Sequence, residues 1–125
     1  MAGYGELGML GMDEALIAKQ RMSQLAEETG MPFEELVTLW SGETAAQLAS
    51  ASAALTAGNL EEAARLVHSA SGSSSICGVT TLAEELKSAE KLAAAGRGDD
   101  ARQALANAHR RFTAISGALH NGLNP

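Results

Sequence analysis

Apolar residues return every three or four positions along most of the chain, and that period predicts helices throughout. Phe33, Val37, Trp40, Thr44, Leu48, Ala51 and Leu55 advance in such steps and form one face of a second helix. Leu60, Ala63, Val67, Ala70, Ser74 and Cys77 do the same for a third. Leu82, Leu86, Ala89 and Ala93 mark a fourth, and Ala101, Leu105, Ala108, Phe112, Ile115 and Leu119 a fifth. A first helix is expected from Asp13, a good N-cap residue followed by Glu14, with Leu16, Met22 and Leu25 recurring at roughly helical spacing. Glycines punctuate the pattern: Gly30, Gly58 and Gly78 stop helices, and Gly96-Arg97-Gly98 makes a tight turn. Pro32 suits the first turn of the second helix. Asn59 is the expected cap of the third, Thr81 to Glu84 reads as a capping box for the fourth, and Asp99 is the expected cap of the fifth. No period-two alternation and no internal repeat is present.

Short turns between long helices make successive helices antiparallel. The expected fold is therefore all-α, an up-and-down antiparallel four-helix bundle with an additional N-terminal helix. The expected division is a flexible leader over 1–12, one helical-bundle domain over 13–120, and a frayed tail over 121–125.

Composition narrows the function. A chain of 125 residues is enough for one domain. Its net charge of −6 argues against nucleic acid and against anionic membrane surfaces as partners. Only four residues are aromatic (one Trp, one Tyr, two Phe), and the many alanines favour closely packed helices. Cys77 is the single cysteine, so no internal disulfide forms, and its expected role is that of a small core hydrophobe. No apolar run is long enough for a bilayer, and Met1 to Met12 lacks the basic start of a signal peptide. The expected compartment is the cytoplasm. His68 and Cys77 lie too far apart to share a metal, and no paired carboxylates or nucleophile with an adjacent base is visible.

The informative segment is Val67-His68-Ser69-Ala70-Ser71-Gly72-Ser73-Ser74-Ser75-Ile76-Cys77-Gly78. Glycine and serine weaken a helix interior, so removing bulk here must serve something else. The simplest gain is close approach of a partner to His68. Helix spacing puts Ala64, Gly72 and Ser75 on the side of His68, at the edge of the buried face. Ser74 falls in the buried stripe, where close helix packing explains it. His109 and His120 have no small neighbours, and His109 with Arg110 and Arg111 reads as a solvated face.

From about Leu25 to Leu119 the chain resembles the histidine-containing phosphotransfer (HPt) domains of bacterial two-component phosphorelays. The resemblance rests on Asn59, His68, Gly72, Ser73, Ser74 and Gly78, then Leu82, Leu86, Glu90, the Gly96 to Asp99 turn and Phe112. Glu35 to Trp40 resembles the second helix of that fold. The resemblance implies that His68 is a phosphoacceptor and that the partners are response-regulator receiver domains, hybrid histidine kinases, or both. It also implies a monomeric carrier with no autokinase activity and no cofactor of its own, with Mg²⁺ on the partner receiver. The chain departs from the family at one place: Ser71 stands where the family has a lysine. Serine donates a hydrogen bond but brings no charge. Arg65, one turn before His68, is the candidate to supply charge, and Ser71 and Ser75 to hydrogen-bond the phosphoryl oxygens. Two rival readings stay open. One is an adaptor of the same fold whose His68 is never phosphorylated. The other is a plain helical interaction or dimerisation protein, for which His68→Gln changes nothing.

Overall fold

The computed structural model describes residues 2–121, with side chains from residue 12 onward. It contains five helices: α1 (Ala2–Thr29), α2 (Phe33–Thr56), α3 (Leu60–Ile76), α4 (Thr80–Ala94) and α5 (Gly98–His120). Among the described residues there is no strand. Each of α2 to α5 packs on the next, and α5 closes back on α2. This is the expected four-helix bundle. The extra helix α1 lies mainly along α5 and also touches α2 and α4.

The apolar stripes of α2 to α5 are the core. Val37, Trp40, Leu48 and Leu55 face Ala63, Val67 and Ala70 in the interior, with Leu82, Leu86, Leu105, Phe112 and Ile115. Phe33, Leu60 and Cys77 close the ends of their stripes, partly buried. Trp40 meets Phe112 edge-on, ring centroids 5.4 Å apart. Its indole Nε1–H donates to Ser74 Oγ at 3.2 Å, so close packing at Ser74 comes with a satisfied buried donor.

Three connections share one geometry. In the turn after α2, Gly58 N–H donates to Leu55 O and Asn59 N–H to Ala54 O. Gly78 and Val79 repeat the pattern on Ser75 and Ser74, and Gly96 and Arg97 on Ala93 and Leu92. This is the Schellman closure, with a left-handed glycine at each centre. The residue after each glycine also begins the next helix. Asn59 is therefore in place to cap α3, and its side chain accepts from Glu62 N–H at 3.3 Å. The caps expected at Thr81 and Asp99 do not form. Val79 and Arg97 hold the cap positions, and Thr81 and Asp99 lie inside the first turns of α4 and α5.

The expected start of the first helix is corrected. It begins at Ala2, so Asp13 lies within it and caps nothing. Once a helix is nucleated, each further residue adds a hydrogen bond, and the glycines at its start do not stop it. Its buried face is Ala15, Ala18 and Met22, while Leu16 is 48% exposed. The small alanines let α1 approach the bundle closely. Asn121 ends α5 as its C-cap, and the rest of the expected frayed tail, 122–125, lies outside the described residues. No helix among the described residues is long and apolar enough to cross a membrane.

A partly buried ion cluster ties α1 to the bundle: Arg111 of α5 pairs with Glu14 of α1 and Glu85 of α4. Burial raises the Glu14 carboxyl above its ordinary value of 4.5; Arg111 opposes this and the charge of Glu85 adds to it. A carboxyl raised on folding stabilises most below its unfolded value, and that contribution fades as pH rises through the folded value. Glu14→Gln should therefore flatten the stability profile just above pH 4.5. Urea unfolding across that range checks this, and parallel profiles for the two proteins would refute it.

Candidate functional site

His68 sits in the middle of α3, at the edge that meets α4. Its side chain is 76% exposed, and Nδ1 lies 3.0 Å from Glu90 Oε2 and 3.2 Å from Oε1. A carboxylate accepts, so the proton resides on Nδ1 and the Nε2 lone pair is left available. Nε2 makes no hydrogen bond to any described residue and faces solvent. The ring is oriented, its tautomer is set, and one nitrogen is presented outward as a nucleophile.

The other histidines differ. His120 Nε2 lies 3.0 Å from Ser41 Oγ, whose own hydroxyl donates to Val37 O, so His120 donates to Ser41. His109 is exposed beside Phe112, 6.3 Å between ring centroids, with no carboxylate partner among the described residues. His109 and Arg110 agree with a solvated face, whereas Arg111 departs from it: it is partly buried and pairs with Glu14 and Glu85.

The expected stripe around His68 is present. Ala64 is partly buried, and Gly72 and Ser75 are exposed. A Cβ built on Gly72 would meet nothing within 4 Å. No internal packing requires a glycine here, so the space it leaves opens only toward solvent. The site is a projecting face. A groove of about 640 Å³ between α2 and α5, lined by Leu48, Leu105 and Arg102 among others, includes none of these residues.

Ser71 is corrected. It is 2% exposed, and its hydroxyl donates to Ala83 O at 3.0 Å. Three residues along a helix turn the side chain about 60° back from His68, here toward the core and α4. The hydroxyl joins α3 to α4 and is not available to a group on Nε2. Arg65 turns the other way, is exposed, and pairs with Glu62, its Nε donating to Oε2 at 2.9 Å.

In the sequence Glu90 belongs only to the family pattern, with no site role expected of it. Its signal was positional: with Ala83 and Lys87 it forms a second stripe on α4, one step from the buried Leu82, Leu86 and Ala89. No periodicity says which helix that stripe meets. Cys77 is partly buried, and burial pushes its thiol up, in keeping with a packing role. Among the described residues no cluster of histidine, cysteine or carboxylates could hold a metal ion.

Compared with known families, residues 35–123 match the model of the Hpt domain. That range runs from the first turn of α2 through α5 and contains His68, Gly72 and Glu90. Neither the curated proteins nor the solved structures provide a match.

Proposed function

From the premise that this chain belongs to the Hpt domain family, a family of phosphocarriers, we propose that His68 relays a phosphoryl group between receiver aspartates in a two-component phosphorelay. The observation that carries this is the exposed imidazole whose Nδ1 is held by Glu90 and whose Nε2 is free. The Nε2 lone pair forms the N–P bond as the P–O bond of the partner's aspartyl phosphate breaks. The bonding electrons leave on the aspartate carboxylate. The same step in reverse passes the group to a second aspartate. No proton has to move: the Nδ1 proton stays on the ring, donated to the Glu90 carboxylate, whose charge offsets the positive charge that the ring gains. Transfer of this kind depends on in-line positioning and charge stabilisation. The partner receiver is expected to bring the Mg²⁺, and the carrier no autokinase activity. The expected setting is the cytoplasm.

The direct test is to mix the protein with labelled, phosphorylated receiver domains. Label that is stable in base and lost in acid supports the reading. Binding without any label would favour the adaptor, whose support is the absence of a lysine at Ser71.

Two variants probe the geometry. Glu90→Ala frees the imidazole to rotate and to place its proton on Nε2. Carboxylates that orient metal-binding imidazoles affect function about 10- to 100-fold, and a roughly tenfold slower transfer is expected here. Glu90→Gln keeps an acceptor oxygen and should lose less. Equal rates for all three proteins would remove Glu90 from the site. Gly72→Leu should raise helix stability, by up to about 1 kcal/mol, because glycine is a poor helix former and the site has room. It should also block the receiver and slow transfer. Normal transfer by this variant would refute the clearance argument.

A further inference from the structure

Ser71 is buried and uncharged, so it gives a phosphorylated His68 no cation on that side of α3. A lysine there would start from a buried position facing Ala83. Arg65 is on α3 as well, but its guanidinium is engaged by Glu62.

We propose that Lys87 of α4 is the residue that neutralises the phosphoryl group on His68; the inference rests on the phosphocarrier reading above. Two contacts fix how α4 lies against α3. Ala83 O accepts from Ser71, and Glu90 accepts from His68. Lys87 is one turn after Ala83 and one turn before Glu90, so the three share a face. Lys87 therefore stands between the two contacts, level with the stretch of α3 from His68 to Ser71. It is exposed, and among the described residues it makes no salt bridge. Its flexible four-carbon stem carries three donors that can turn toward a group on the His68 ring. Lys91 is a turn farther from Ser71, and Glu84 and Glu90 bring only negative charge to this edge. The positive charge then comes from the helix that orients the histidine, not from the helix that carries it.

The test needs no partner protein. Phosphoramidate donates its phosphoryl group to imidazole: the N–P bond to His68 forms, the donor's P–N bond breaks, and ammonia leaves. Wild type, Lys87→Ala, Lys87→Arg and Arg65→Ala would be phosphorylated in this way. The rate of labelling and the ³¹P titration of the phosphohistidine would both be followed. Lys87→Ala should slow labelling roughly three- to tenfold, the effect of one partly screened charge on a dianion. It should also move the phosphoryl titration to higher pH, which a merely structural change would not do. Lys87→Arg should restore both. An unchanged rate and titration in Lys87→Ala, with wild type labelled at His68, would overturn the role of Lys87. So would the same losses appearing in Arg65→Ala instead. Failure of wild type to label at His68 would count against the phosphocarrier reading itself.

Discussion

His68→Gln is expected to abolish acid-labile, base-stable labelling completely and to leave the bundle intact. Glutamine fills a similar volume, but its amide nitrogen has no available lone pair and cannot form the N–P bond. The side chain is 76% exposed, so its replacement opens no cavity in the core. Substitutions at such surface positions usually change stability by no more than about 0.5 kcal/mol. Glu90 loses an imidazole partner but stays at the surface, where water replaces it. His109 and His120 remain in the variant as internal controls. Receiver-dependent labelling and thermal unfolding of the same preparation decide the matter. Label that persists in the variant would place the acceptor elsewhere. A variant that binds receivers normally but never labels would show that docking and chemistry are separate properties of this face.

The largest single-residue effect on stability outside the core stripes is expected at Gly78. It lies in the turn between α3 and α4 with φ at +81°, a region that disfavours any side chain. An added Cβ would also stand 2.6 Å from Arg21 Cβ and 3.0 Å from its Cγ, with the Ala18 backbone at 3.7 Å. Gly96 has the same turn and φ at +79°, yet nothing lies within 4 Å of its Cβ position. Gly96→Ala should thus cost only the left-handed backbone term, about 1–2 kcal/mol. Gly78→Ala should cost a further 1–3 kcal/mol or so for overpacking, because α1 must move off the turn. The displacement also threatens the Arg21 Nε–H bond to Ile76 O, 3.4 Å long. Urea unfolding of the two variants gives the difference, and hydrogen exchange should show faster opening of α1 in Gly78→Ala alone. Equal costs would mean that α1 is not held against this turn.

The difference between these glycines marks the limit of sequence reading. All four helix-ending glycines were legible, because a left-handed residue after an apolar stripe is a local requirement. That Gly78 alone is pressed by α1 depends on a contact between residues far apart in the chain. The caps show the same division. Asn59 was legible and correct, whereas Thr81 and Asp99 have good capping chemistry two positions too late. The Schellman turns start each helix immediately after the glycine and leave those side chains inside it.

At the site, His68 and Gly72 could be read from the sequence because the glycine and serines that follow His68 break local expectation: bulk is missing where a helix would favour it. Ser71 could not be placed, since its exposure depends on how far α4 closes over that edge of α3. Glu90 and Lys87 could not be linked to His68, because nothing local relates the register of α4 to that of α3.

The sequence alone therefore determined the five helices, the buried stripes of α2 to α5 and the exposed histidine, all of which follow from side-chain periodicity within one helix. Only the tertiary structure decided which stripe of α1 is buried, that Ser71 bonds to α4, and that Glu90 holds Nδ1. Each of these depends on the distance and register between two helices, and a pattern with a period of 3.6 residues specifies the face of a helix but not its neighbour.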